Sequence, residues 1–344
     1  MNLVNRIRIF TPLVNFTQNG FKTISRPNVC KKTHSAPRTQ LPFNRYFKTE
    51  YPKVVFLGFS LLSIFGFEDE EDCEQKLINT IKRGLLCLQK EDYECFEQKL
   101  HEALKIANNI KSFEGVTYVY DVLANGAFMK KDYVNAEKLF VLVMQRLMSK
   151  GSKENDLNML HISLKLSKIL EAKQDFVKCE IGYTHCLKHL EELIKLDPDN
   201  EDILGLLSLT LDSYARYLLN RGDTKKAYAH FKKSYKTCVK LNGEIYEMNV
   251  ILLNDLGTLC YVQGNVDKAF KYLNKAAKIG QHLPDMESFS TVYINLGNIY
   301  LKQGMLIEAE KSCTEGIKNA KRHNFQEGTE EANICLREVK NLMK

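Results

Sequence analysis

From about Leu77 onward, apolar residues recur at intervals of three and four, the spacing of helices that bury one face. No run there alternates like a strand, and proline appears only at Pro198 and Pro284, so the pattern predicts long helices and an all-α fold. A different pattern stands before it. Val54–Phe67 is uncharged, mostly apolar and without a polar face, and acid follows at once in EDEED (68–72). Fourteen helical residues reach about 21 Å, and counting from Tyr51 gives about 25 Å. That is short of the roughly 30 Å hydrocarbon core, but Lys53 can snorkel and a bilayer can thin. A helix lining a protein core would show a polar side, so residues 51–67 are expected to form a single-pass membrane anchor.

Within the helical region one spacing repeats. LGTLCYVQGNVDKAFKYLNKA (256–276) aligns with LGNIYLKQGMLIEAEKSCTEG (296–316), with small residues at Gly257/Ala269/Ala276 and Gly297/Ala309/Gly316. The triplet returns upstream as Ala215/Ala227/Ser234, Ser167/Cys179/Cys186, Ala124/Ala136/Val143 and Gly84/Phe96/Ala103, where Phe96 and Val143 are the members that are not small. Four residues after the middle member stands a large residue: Leu100, Phe140, Tyr183, Phe231 and Leu273, with Cys313 the weak exception. Paired antiparallel helices approach closely only where small side chains meet, and a bulky one then plugs the groove.

This arrangement resembles the tetratricopeptide repeat family, built from helix-turn-helix units with small residues at those places. The resemblance implies a solenoid of about six repeats over residues 76–344, with turns at NRGD (220–223), QGN (263–265) and KQGM (302–305). Residues 325–344 are expected to cap its last apolar face. Two departures stand out. The steps between units are 40, 43, 48, 42 and 40 residues rather than the usual 34. The chain also has no tryptophan, and Tyr120 and Tyr293 take that place in two units.

Charge changes the picture at the N-terminus. Of the net +7, residues 1–53 hold +9 (ten Lys/Arg against Glu50), which leaves −2 for the remainder. The nearly neutral folded part gives no footprint for nucleic acid. A basic, almost acid-free leader, with Leu3, Val4, Ile7 and Phe10 on one helical face beside Arg6 and Arg8, has the character of a mitochondrial presequence. The expected layout is a disordered presequence at 1–50, the short hydrophobic anchor helix at 51–67, an acidic linker at 68–75, and then the solenoid. The basic flank would stay in the matrix, so the C-terminal domain would face the intermembrane space.

Chemistry is sparse. The ten cysteines show no Cys-x-x-Cys and no zinc-finger arrangement, and they read as inert core thiols. In HCLKH, His185 and His189 share a helical face, a spacing that can hold zinc. Cys186 stands where a metalloprotease needs its general base, and only Glu192 offers a third ligand. No catalytic, cofactor-binding or metal residues are therefore assigned, and no small-molecule substrate is expected.

A helical solenoid offers a concave groove for a peptide. Projection from the small-residue frame lines it with Tyr118, Asp121, Asn125, Lys168, Asp212, Arg216, Asn254, Thr258, Tyr261 and Asn298. A clamp for a terminal carboxylate is disfavoured: Asn125 matches, but Asp121 replaces a lysine and Lys165 an asparagine. Further likeness lies in TYVYDVLANGAF (117–128), NAEKLF (135–140), LDSYARYLL (211–219), HEALKIA (101–107) and ISLKLSKI (162–169). These resemble a mitochondrial inner-membrane branch of the family, whose members bind respiratory complex III (cytochrome bc1) and help clear N-terminal fragments of its Rieske iron–sulfur subunit. The resemblance implies a non-enzymatic scaffold of that kind. The alternative is a general mitochondrial adaptor or co-chaperone with other clients.

Overall fold

The structure, a computed structural model, describes residues 73–344; the expected presequence, the anchor and residues 68–72 lie outside the described residues. Thirteen α-helices and no strand occur among the described residues. Six helical pairs follow one another: α1/α2 (Cys73–Gln89, Tyr93–Asn109), α3/α4 (Phe113–Met129, Tyr133–Ser149) and α5/α6 (Leu157–Ala172, Phe176–Leu196) come first. Next are α7/α8 (Glu201–Asn220, Thr224–Asn242), α9/α10 (Glu247–Val262, Val266–Gly280) and α11/α12 (Ser290–Lys302, Leu306–Arg322). The helix α13 (Gln326–Leu342) closes the series, where the cap was expected. The first helix of each pair is called helix A below and the second helix B. The described residues divide into two compact units, 73–210 and 211–344, with the boundary inside α7.

The small-residue frame is the core of each unit. All eighteen members of the six triplets are buried, and so are the six residues four positions after the middle members. Those bulky residues close over the first small residue of their own pair. A Cβ on Gly257 would stand 2.6 Å from Leu273 Cγ, well inside van der Waals contact. Gly84 is covered by Leu100 in the same way, and Gly297 by Cys313. Phe96, the one aromatic among the triplets, fits because its ring lies on Gly126 of α3, where any side chain would collide with it.

The turn between helices A and B is built the same way six times. A residue in the left-handed conformation ends helix A: Glu91, Lys131 and Gln174 in the first three pairs, Gly222, Gly264 and Gly304 in the last three. The next residue donates its backbone N–H five residues back, as from Asp132 to Ala127 (2.9 Å) and from Asn265 to Cys260 (2.9 Å), a Schellman closure. That residue also caps helix B. Asp92, Asp132, Asp175, Asp223 and Asn265 each accept the backbone N–H three positions on, at 3.0–3.3 Å. Met305 holds the sixth position with no side chain able to do so. Met305→Asp is therefore expected to raise stability by about 1 kcal/mol, read as an upward shift of the urea midpoint; an unchanged midpoint would mean the last hairpin is already held by other contacts.

The described cysteines divide into three groups. Cys179, Cys186, Cys238 and Cys260 are buried thiols, as expected, whereas Cys73, at the start of α1, is exposed rather than part of the core. Four others differ. Cys87 of α1 is joined to Cys95 of α2 (Cα–Cα 5.8 Å), and Cys313 of α12 to Cys335 of α13 (6.2 Å), spans a disulfide accommodates. The second bond explains why a residue as small as Cys313 fills a bulky position: its sulfur joins the capping helix to the last pair.

Candidate functional site

The projected groove residues sit on A helices, and the structure shows what they touch. In the first unit, Asn125 Nδ2 donates to the Asp121 carbonyl (2.7 Å) and to its carboxylate (3.2 Å). Lys165 of α5, only 6 % exposed, donates to Asn125 Oδ1 at 2.6 Å, with its ammonium 5.3 Å from the Phe140 ring centre. Burial pushes the Lys165 pKa down, and the Asp121 charge pulls it back up. Both departures from the carboxylate clamp thus answer each other: the acid at 121 faces the cation at 165. Lys168 is half-buried one turn further along α5, and His161 is held well below its usual pKa by burial and by both lysines. Tyr118 is half-buried, its phenol pushed upward by burial and then by Asp121.

In the second unit the arrangement is tighter. Arg216 lies within 3.1 Å of Asp212 on its own helix and 2.6 Å of Asp255 on α9. The two carboxylates are 2 % and 0 % exposed, and the guanidinium 20 %. Burial pushes the Asp255 carboxyl up to about 6; the Asp212 charge adds to this and Arg216 opposes it. One pair further on, Asn295 of α11 donates to Asn254 Oδ1 at 2.8 Å and approaches Thr258 Oγ1 at 3.5 Å. Asp212, Asn254 and Thr258 are therefore buried inside a polar network rather than lining an open groove. Tyr261 and Asn298 are half-buried, and burial raises the Tyr261 phenol pKa.

A single rule relates the links. Counting from the small residue of helix A, the side chain two positions before it reaches back to the previous helix A, to the residue one after or three before that helix's own small residue. Lys165 to Asn125, Asp255 to Arg216, and Asn295 to Asn254 all obey it. The projection took in the outer positions but missed Asp255 and Asn295. Their signal was present as a carboxylate and an amide set inside the largely apolar runs VILLNDLGTL and TVYINLGNI. In water-poor packing such groups survive only when paired.

The histidine pair of α6 packs edge to face, with ring centres 4.6 Å apart, and His189 Nδ1 lies 3.1 Å from Glu192. Cys186 donates to the Leu160 carbonyl at 3.5 Å. Burial pushes the Cys179 and Cys186 thiols up to about 12, which keeps them protonated. Among the described residues no three His, Cys, Asp or Glu side chains gather as a metal-ligating group. Nor is any described helix long and apolar enough to cross a membrane.

Comparison with known proteins agrees with this architecture. A family model described as "Tetratricopeptide repeat" matches residues 247–322, the span of α9 through α12. Among solved structures, an aspartyl phosphate phosphatase F from Bacillus subtilis superposes with a TM-score of 0.56 at 13 % identity, over 79 % of this chain and 71 % of that one. BtubC from P. vanneervenii does so with a TM-score of 0.54 at 18 % identity, over 74 % and 92 %. At such identities the likeness shows the fold alone. Curated relatives are nearer. The mitochondrial tetratricopeptide repeat protein 19 homolog of Drosophila melanogaster is 36 % identical over 284 residues, 81 % of this chain and 76 % of its own length. The Rattus norvegicus protein is 32 % identical, covering 76 % and 74 %, and the Homo sapiens protein 31 %, covering 73 % and 68 %. The chain belongs to the mitochondrial tetratricopeptide repeat protein 19 family.

Proposed function

We propose that this protein is a non-enzymatic scaffold of the mitochondrial inner membrane that holds respiratory complex III and aids removal of N-terminal fragments of its Rieske subunit. Residues 1–50 act as the presequence, 51–67 as the anchor and 68–75 as an acidic spacer whose last three residues already belong to α1. The helical domain then faces the intermembrane space. The observation that carries the binding role is the partly exposed polar edge of the A-helix networks. Asn125, Lys168, Arg216, Tyr261 and Asn298 stay within reach of solvent while buried partners hold their neighbours in place. Amides, tyrosines and cations fixed in this way can pair with a peptide backbone at little ordering cost. The anchor supports the location, because its basic leader and acidic trailer give it one preferred orientation.

Native electrophoresis after mild detergent tests the reading. The protein is expected in the complex III band, and its deletion is expected to leave Rieske fragments accumulating. Absence from that band, together with unchanged fragment levels, would overturn it. A photocrosslinker placed at Asn125 or Asn298 is expected to capture complex III subunits or Rieske peptide; capture of unrelated clients only would favour a general mitochondrial adaptor instead.

A further inference from the structure

The outward face of the second unit carries a charge pattern that the peptide-binding reading does not use. Helix α8 presents Lys225, Lys226, Lys232, Lys233, Lys236 and Lys240 to solvent and contains no acidic residue. Helix α10 adds exposed Lys268, Lys271, Lys275 and Lys278. The two helices lie side by side: the Tyr228 and Tyr272 hydroxyls are 2.9 Å apart, and Lys275 Nζ stands 5.5 Å from the Tyr235 ring centre. Asp223 pairs with Lys226 at 3.1 Å and Glu244 with Lys275 at 3.0 Å, Asp267 lies near the start of α10, and Lys233 and Lys240 have partners of their own. Beside these pairs Lys225, Lys232, Lys236, Lys268, Lys271 and Lys278 add exposed cations to the face, on a chain whose residues 54–344 sum to −2.

We propose that this α8/α10 face docks on the surface of an anionic phospholipid bilayer. The inference rests on the inner-membrane tether of the proposed function, which would keep the domain near such a surface. Three features select lipid over other anionic partners. All ten cations are lysines and none is arginine, which suits a diffuse charged plane better than bidentate recognition of one carboxylate or phosphate. Neither helix carries an exposed large apolar residue, so the anchor a protein interface is organised around is missing there. No aromatic ring on either helix is exposed for stacking on a nucleic-acid base. The α8 stripe, Lys225 to Lys240, extends over about 23 Å of helix, and each lysine near such a surface contributes about 1 kcal/mol.

The test uses the full chain reconstituted with vesicles of phosphatidylcholine alone or of phosphatidylcholine with cardiolipin. Acetylation of Lys232, Lys236 and Lys271 by an amine-reactive reagent is followed by mass spectrometry. Rates are expected to fall roughly tenfold in the anionic vesicles and to recover in high salt, where the lipid charge is screened. Lys232→Glu/Lys236→Glu, which alters exposed side chains only, is expected to abolish the protection at Lys271 as well. Equal rates in both vesicles would overturn the proposal. So would protection by polyglutamate without protection by cardiolipin, an outcome that assigns the face to an acidic protein. Flotation with neutral vesicles reports the tether separately: its loss removes the anchor reading, while equal lysine rates on floating protein remove only this one.

Discussion

Phe96→Ala is expected to lower stability by about 3–5 kcal/mol, and Gly126→Leu by about 1–3 kcal/mol or more, whereas the two together should cost clearly less than their sum. The ring of Phe96 is 1 % exposed and lies against Gly126 of the following pair. Removing the ring opens a cavity between α2 and α3; adding a side chain at 126 drives into the space the ring fills. In the double variant the leucine occupies the vacated volume, so the interaction energy of the cycle is favourable. Urea unfolding of the four proteins measures it. Strictly additive losses would show that ring and glycine are not the mutual fit that lets an aromatic stand in a small-residue position.

Arg216→Met is expected to cost about 3–5 kcal/mol at neutral pH, and visibly less in mild acid. It removes the cation shared by Asp212 and Asp255, leaving two buried carboxylates of like charge. The pH dependence follows from Asp255, whose carboxyl is raised from 3.8 to about 6. A raised carboxyl binds its proton more tightly in the folded chain, so its contribution is fully present below the unfolded value and fades as pH rises through about 6. For Asp255 alone that amounts to about 3 kcal/mol between roughly pH 4 and 7. Without Arg216 the carboxyl should rise further, so protonation relieves more of the damage. Asp255→Asn is expected to flatten this portion of the stability curve. Urea midpoints of the three proteins across that range check it; parallel curves would mean Asp255 does not change its charge on folding in this window.

Much of the fold was legible from residue order. The triplet spacing located all six hairpins, because helix pairing makes local demands: small residues at the contact, a bulky one beside them and a helix-ending turn between. Those demands recur at fixed offsets, and Gly222, Gly264 and Gly304 mark them openly. Glu91, Lys131 and Gln174 adopt the same left-handed conformation without glycine, so their turns carried a weaker signal. The candidate site was legible only in part. Its outer positions could be projected from one helix, but the Asp255 and Asn295 links needed two.

The order of residues was enough to set the helical repeat, the hairpin frame, the buried small positions and the basic leader with its apolar sequel, since each depends on neighbours within about one hairpin. Three-dimensional packing settled the rest: which polar side chains are consumed by the next helix, which cysteines meet, and why Phe96 fits. Those outcomes depend on which side chains of different helices, from eight to about forty positions apart, come within bonding or van der Waals range, and burial penalises any polar group or cavity left without a partner.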